Sequence, residues 1–392
     1  MSDVNNIIDE IDLNVQKMKY ENTKQLFEDV KTFIIKNKLI LYGGFAVNIL
    51  LPKKEQFYKD YTINDYDCYS KNAQIDALRL SKYLKSKKHS YIKVRKALHE
   101  NTFKVFANFV VVADISQIET DVYNKMKEIS LLEKKMGLYK NYKENYLLTP
   151  VVFLLSNMHY ELARPLNSYY RWEKILQRLS LLSRVVNDKQ KNNKLQSLNP
   201  KHKPSLLQTK LLRFVKENQL PIVNEFALKY HNISRYEENE ISVLSTNVHE
   251  TKKSIIKQFG NMYEVSIIKQ NFLYNKTETL TISEKENQNN FCITIISANQ
   301  DCFSVLNHRG FVIGSIHTII YFIYQKLISS FIYNNTEFNK KDNILKLKRI
   351  FLLESLTSSK NKELTSKCYG NNKSFVSMLK NQWKQRQTLK YV

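Results

Sequence analysis

Residues 38–44 read Lys-Leu-Ile-Leu-Tyr-Gly-Gly, an apolar run stopped by two adjacent glycines in a chain of 392 residues that has only 7. Glycine adopts positive φ at no steric cost, yet it loses more entropy on folding than any other residue. So sparing a use, with Gly43 and Gly44 side by side, marks a point where the backbone turns sharply or approaches another group closely. The residues before the pair suit a short buried strand, and Phe45-Ala-Val-Asn-Ile-Leu-Leu after it suits a helix halted by Pro52. A strand, a glycine turn and a helix start aim free N–H groups and a dipole at one spot, which favours an anion such as phosphate. By itself the pair also suits a plain tight turn.

Asp65 and Asp67 flank Tyr66 in a strand-like stretch, residues 61–70. A period of two puts both side chains on one face. Two carboxylates that close raise each other's pKa unless a cation neutralises them, and a hard ion such as Mg²⁺ takes oxygen ligands of this kind. A solvated strand face with two incidental acids is the simpler alternative. Asp114 alters the balance, because it ends the apolar run Phe-Val-Val-Val-Ala-Asp. A lone charge there is costly unless paired or metal-bound. If that strand lies beside the first, three carboxylates converge at one sheet edge with the glycine turn nearby, the layout of two-metal phosphoryl transfer. Tyr66 and Tyr69 are read as alternating opposite the aspartates, in the core.

The periodicities give helix, strand, helix, strand, helix and then two strands up to about residue 145, with one strand near residues 91–97, a turn near His99–Asn101 and a longer strand ending at Asp114. Residues 149–236 turn helical. From about His249 strand-like alternation returns, as in Phe-Cys-Ile-Thr-Ile-Ile-Ser at 291–297, followed by an apolar helix over residues 311–333. His317, Gln325 and Lys326 interrupt that window, so it reads as a buried helix and not a membrane span. The expected fold class is α+β: a catalytic domain with a mixed sheet flanked by helices (1–148), a helical middle region (149–248) and a C-terminal α+β domain (249–392) serving RNA binding or dimerisation.

The formal net charge of +24 favours a polyanionic partner, although AT-rich coding would also enrich lysine. Between residues 189 and 216 lie Lys189, Lys191, Lys194, Lys201, Lys203, Lys210, Arg213 and Lys216, with no acidic residue among them. This tract is the candidate RNA contact, since each neutralised phosphate releases counterion; a loop rich in Lys and Asn is the alternative. Arg164, Arg171 and Lys174 are candidates for reaching phosphates, and Tyr169 or Tyr170 for stacking on a base. Cys68, Cys292, Cys302 and Cys368 form no Cys-x-x-Cys pair and have no metal-ligand histidines near them, so all four are expected as free thiols in a reducing compartment. The N-terminus is acidic and has no apolar core of a signal peptide.

Gly-Gly followed by Asp-x-Asp and a third acidic residue on a later strand resembles the nucleotidyltransferase superfamily typified by DNA polymerase β, with a longer insertion between Gly44 and Asp65. Tyr-Gly-Gly-Phe-Ala-Val-Asn with Asn-Asp-Tyr-Asp-Cys-Tyr-Ser, the stretch 97–116 ending in Ala-Asp-Ile-Ser, and residues 158–182 together resemble the poly(A) polymerase catalytic subunits of large cytoplasmic DNA viruses. That resemblance implies template-independent addition of AMP from ATP to RNA 3′ ends with Mg²⁺ or Mn²⁺. It implies that Asp65 and Asp67 bind both metals and that Asp114 holds the catalytic one. It places Gly43 and Gly44 at the triphosphate, with Ser70 and Thr102 as nucleotide-binding candidates nearby. It further implies a homodimer or a viral processivity subunit as partner, and the host cytoplasm or the virion as location. A CCA- or U-adding enzyme, or an inactive RNA-binding subunit of the same fold, remains the alternative.

Overall fold

A computed structural model describes residues 2–58, 65–97, 101–138, 145–188, 206–231, 240–268, 277–283, 290–333, 344, 347–348, 351, 354 and 364–371. The chain forms two compact units, one within Met1–Leu154 and one within Leu155–Asn381. In the first, α1 (Ser2–Lys36) is followed by β1 (Ile40–Leu41), α2 (Gly43–Leu50), β2 (Tyr66–Ser70) and α3 (Ala73–Ser86). Then come β3 (Lys93–Lys96), β4 (Thr102–Ala107), β5 (Val110–Gln117), α4 (Thr120–Lys135), β6 (Leu147–Leu148) and the start of α5 (Val151–Leu162). The sheet order is β3-β4-β5-β2-β1-β6. β2 runs parallel to β5 and antiparallel to β1, so the sheet is mixed.

Helical periodicity accounts for the layer packed on this sheet. Ala73, Ala77, Leu80 and Leu84 form one stripe of α3, and each is fully buried. Leu26, Val30, Phe33 and Ile34 do the same on α1. Full burial of each large aliphatic or aromatic side chain contributes about 1.5–3 kcal/mol. Glu133 of α4 is buried, and its carboxylate accepts from the Val151 and Val152 N–H groups at 2.8 and 3.4 Å, capping α5.

The segment expected as one long strand is a hairpin. Asn108 and Phe109, at φ of 49° and 64°, turn the chain between β4 and β5, and β5 continues past Asp114 to Gln117. The uniform apolar run Phe-Ala-Asn-Phe-Val-Val-Val concealed that turn, because it lacks the glycine that two left-handed residues usually call for.

The second unit contains α6 (Pro165–Ser168), α7 (Trp172–Asp188), α8 (Leu206–Glu217), β7 (Glu240–Ser245), α9 (Val248–Phe259), β8 (Glu264–Ile268), β9 (Thr277–Ser283) and β10 (Asn290–Ser297). It closes with β11 (Cys302–His308), β12 (Phe311–Gly314), α10 (Ile316–Tyr333) and β13 (Cys368–Gly370). The strands assemble in the orders β7-β10-β9-β8 and β12-β11-β13, and Ile222 bridges Val243 and Ile313. α10 is buried, as its composition predicts, but the first residues of that apolar window form β12 instead. Among the described residues no helix is long and apolar enough to cross a membrane. The expectation of four free cysteines fails: Cys302 and Cys368 form a disulfide, with Cα atoms 5.3 Å apart, and only Cys68 and Cys292 are free. The pairing of β11 with β13 brings together residues 66 apart in sequence, a proximity that spacing motifs do not register.

Beneath α10 lies a fully buried polar cluster. Glu354 accepts from His159 Nε2 at 3.0 Å, Ser183 Oγ at 2.7 Å and Tyr324 Oη at 2.6 Å. His159 Nδ1 meets His317 Nδ1 at 3.0 Å. Burial pushes the Glu354 carboxyl up, but His159, Ser183 and Tyr324 more than offset it and hold it at about 2. A carboxyl depressed in the folded state contributes stability above its unfolded pKa and loses it as pH falls. Thermal melts should therefore show stability declining as pH drops from about 4.5 towards about 2. Glu354→Gln should flatten that decline and cost on the order of 3 kcal/mol at neutral pH. An unchanged acid limb in the variant would remove the cluster from the account of stability.

Candidate active site

The alternation of β2 sorts its residues. Tyr66, Cys68 and Ser70 are buried, while Asp67 and Tyr69 are half-buried on the other face and Asp65 just before them is exposed. Tyr69 thus shares the aspartate face, against the reading from sequence, because residues 65, 67 and 69 have one parity. There it stacks on Tyr42, with ring centroids 4.0 Å apart. Tyr66 is buried, as expected.

β5 lies parallel to β2 with Asp114 paired to Asp67. Asp65, Asp67 and Asp114 each offer a carboxylate oxygen, and these three atoms lie within 4.8 Å of one another. At an effective dielectric near 20, each pair of unit charges at such a distance repels by roughly 3 kcal/mol. The strand register holds them together nonetheless. The Asp67 backbone is clamped as well, its carbonyl accepting from the Tyr42 N–H at 2.9 Å.

The glycine turn serves this site directly. Gly43 has φ of +70°, and a Cβ built on it would lie 2.4 Å from Asp67 Oδ2. It opens α2, which has no side-chain cap, so its first N–H groups have no intrahelical partner. Two features fit a divalent cation. Asp114 Oδ1 is buried and accepts no hydrogen bond, and the donor set is all carboxylate oxygen, suited to Mg²⁺ or Mn²⁺.

The flanking groups carry the negative field. Burial, then Asp67 and Asp114, raises the Cys68 thiol, so it stays neutral. Burial, then Asp67, likewise pushes the Tyr42 phenol up, and it remains protonated while sharing a 2.9 Å hydrogen bond with Ser116 Oγ. Thr102 Oγ1 bonds the same Ser116 Oγ at 2.8 Å. Ser70 Oγ donates to Asp76 Oδ2 at 2.5 Å and accepts from the Asn72 N–H at 2.8 Å. Both hydroxyls proposed for the nucleotide are therefore engaged within the domain. Lys104 of β4 pairs through Nζ with Asp114 Oδ2. Sequence reasoning passed over it because the β4–β5 hairpin that sets its position was not read.

Other candidates lie in the second unit or outside the described residues. Lys189, Lys191, Lys194, Lys201 and Lys203 fall outside the described residues. Lys210 and Arg213 lie on α8, where Lys210 Nζ donates to Tyr263 Oη at 3.3 Å and Arg213 meets Glu217 at 2.9 Å. Arg164 is not a loose phosphate-reaching cation: it donates to Asp301 at 3.1 Å and lies 3.6 Å from Glu161. Tyr169 and Tyr170 are exposed, edge to face with each other.

A glycine turn over two strand aspartates, with a third aspartate in register on the adjacent strand, is the arrangement that the resemblance to nucleotidyltransferases implies. Residues 28–168 match the family described as poly(A) polymerase catalytic subunit. An African swine fever virus protein (strain Badajoz 1971 Vero-adapted), provisionally named poly(A) polymerase catalytic subunit, is 31% identical over 158 residues, 40% of this chain and 32% of the relative. A protein of Acanthamoeba polyphaga mimivirus with the same provisional name is 28% identical over 160 residues, 40% of this chain and 25% of the relative. The crystal structure of the Megavirus polyadenylate synthase superposes with a TM-score of 0.74 at 18% identity, covering 98% of this chain and 83% of that one. Residues 28–168 are therefore similar to the poly(A) polymerase catalytic subunits of large DNA viruses. The match spans about a third of the length of the curated African swine fever virus relatives.

Replacing Gly43 by alanine adds the Cβ that would meet Asp67 Oδ2. Gly43→Ala should fold yet bind Mn²⁺ at least about 10-fold more weakly by electron paramagnetic resonance, because the carboxylate must move by about an ångström. Wild-type affinity in that variant would show that the close approach does not matter.

Proposed function

We propose that this chain is a template-independent polynucleotide adenylyltransferase that adds AMP from ATP to RNA 3′ ends. The observation that carries this reading is the convergence of Asp65, Asp67 and Asp114 within 4.8 Å beside a turn where a side chain at Gly43 would displace the Asp67 carboxylate. Asp65 and Asp67 would hold both divalent ions, and Asp114 one of them. Mg²⁺ or Mn²⁺ bound there would neutralise phosphate charge and make the attacking hydroxyl more acidic.

The chain's own residues do the positioning. Asp114 helps deprotonate the RNA 3′-hydroxyl as that oxygen attacks the α-phosphorus of ATP in line. The bond to the β-phosphate oxygen breaks and pyrophosphate leaves. Gly43 and Gly44 present backbone N–H groups to the triphosphate, with Ser70 and Thr102 supporting the strand ends that frame it. Tyr42, protonated and stacked on Tyr69, walls the site against water. Lys189, Lys191, Lys194, Lys201, Lys203, Lys210 and Arg213 would lead the RNA backbone, and the region from 249 onwards would guide RNA or dimerise.

Asp65→Ala or Asp67→Ala should reduce extension of an oligo(A) primer with ATP on the order of a thousand-fold, while fluorescence anisotropy finds RNA binding nearly intact. Near wild-type extension by either variant would remove these residues from catalysis. In the wild type, ATP should outcompete UTP and CTP; equal incorporation would support a different terminal nucleotidyltransferase. Charge reversal at Lys201 and Lys203 should weaken RNA binding and lower the slope of log affinity against log salt by about 2–4. An unchanged slope would take that tract out of the RNA path.

A further inference from the structure

Two aromatic rings lie exposed against each other at the tip of the β4–β5 hairpin. Tyr91, just before β3, is 67% exposed and Phe109 is 75% exposed, and their ring centroids are 3.9 Å apart. The loops that carry them are fastened together. The Ser90 N–H donates to Asn108 Oδ1 at 2.9 Å, and the Asn108 N–H donates to the Ser90 carbonyl at 2.8 Å. Both aromatic residues have left-handed backbone, at φ of 51° and 64°. Bulky residues are rare there, whereas glycine sits without strain. The chain therefore keeps two large rings in water at positions that cost backbone strain, a pattern that gathers where a segment clamps a ligand.

A basic strip joins this tip to the acidic site. Arg95 of β3 pairs with Lys104 of β4, Lys104 with Asp114 of β5, and Asp114 with Asp67 of β2. Directly paired residues project to the same face, so this rung lies on the face of the aspartates. Two residues nearer the tip, Lys93 pairs with Phe106 on that face, and the Arg95 guanidinium lies 5.8 Å from the Phe106 ring centroid. Lys93 and Arg95 are exposed, while Val105 and Ala107 on the opposite face are fully buried. Lys104 to Asn108 is four residues, about 14 Å of extended chain, the reach of a few nucleotides. Residues 82–104 hold eight basic residues against one acidic. Charges on an edge strand such as β3 also deter pairing with other sheets, but that accounts for the lysines and not for the rings. We propose that Tyr91 and Phe109 form a stacking platform for a base of the RNA a few nucleotides upstream of its 3′ end, with Lys93 and Arg95 on the phosphates between platform and acidic site. The proposal deepens the proposed function and rests on it. Both parts suit a single strand: aromatic rings take any base by its face, and cations follow the backbone. A duplex would hide its bases from the rings.

The test uses the full chain and oligo(A) primers that carry 5-iodouridine at one position at a time, counted back from the 3′ end. Ultraviolet crosslinking of the wild type should join Tyr91 or Phe109 to RNA from a narrow window of internal positions and not from the 3′-terminal one. The double variant Tyr91→Gly with Phe109→Gly suits the left-handed backbone, so its thermal melt should match wild type. Fluorescence anisotropy should show it binding oligo(A) about 10-fold more weakly. Tyr91→Phe with Phe109→Tyr, which keeps both rings, should bind as wild type. Lys93→Gln with Arg95→Gln should lower the slope of log affinity against log salt by about 1–2. Wild-type RNA affinity in the glycine variant, or crosslinks that spare both rings, overturns the platform and leaves the acidic site standing. Loss of binding to vesicles of phosphatidylserine and phosphatidylcholine in that variant, with RNA binding unchanged, assigns the rings to a membrane surface and overturns it too. If the wild type neither binds nor extends oligo(A), the proposed function itself is wrong and this inference falls with it.

Discussion

Mutual repulsion among Asp65, Asp67 and Asp114 is the constraint to which the rest of the first unit answers. Their oxygens sit within 4.8 Å, a spacing that isolated side chains would avoid. Backbone structure enforces it. The parallel pairing of β2 with β5 sets Asp67 opposite Asp114, and the Tyr42 N–H fixes the Asp67 carbonyl. Gly43 leaves room for the Asp67 carboxylate, and Lys104 offsets part of the charge. Each of these costs something in local stability or freedom, and the helices packed on the sheet supply the rigidity that sustains them. A site so arranged is unfavourable as it stands and would become favourable if cations entered it, as the proposed function requires.

The clustering of the three aspartates was legible in the sequence because it is built from short-range rules. A period of two put Asp65 and Asp67 on one face, and a charge closing an apolar run singled out Asp114. The scarcity of glycine drew attention to Gly43. What escaped was set by register. The hairpin at Asn108 and Phe109 has no glycine, so β4 and β5 merged into one strand and Lys104 went unnoticed. A bulge of one residue then decides which β4 side chain faces Asp114, and no local pattern encodes it. Tyr69 was misplaced by a parity error that its neighbours could have corrected.

In the second unit, distance along the chain was the obstacle. Cys302 and Cys368 are joined across 66 residues, and composition argued for free thiols. Glu354 gathers partners from positions 159, 183 and 324, each unremarkable alone. Arg164 looked available for phosphate and is instead held by Asp301 and lies over the Tyr160 ring, 3.5 Å from its centroid. The apolar window at 311–333 was recognised as buried helix, yet its first residues pair with β11 because β11 offers an edge there. Periodicity finds elements well; partners depend on topology.

The central claim is that three aspartates on adjacent strands jointly hold divalent cations. Its most direct test is anomalous diffraction from crystals of the full chain grown with Mn²⁺ and a non-hydrolysable ATP analogue. The account predicts manganese peaks ligated by oxygens of Asp65, Asp67 and Asp114, with the triphosphate against the Gly43–Gly44 turn. Manganese absent from that edge of the sheet, or bound there without Asp114, would contradict it.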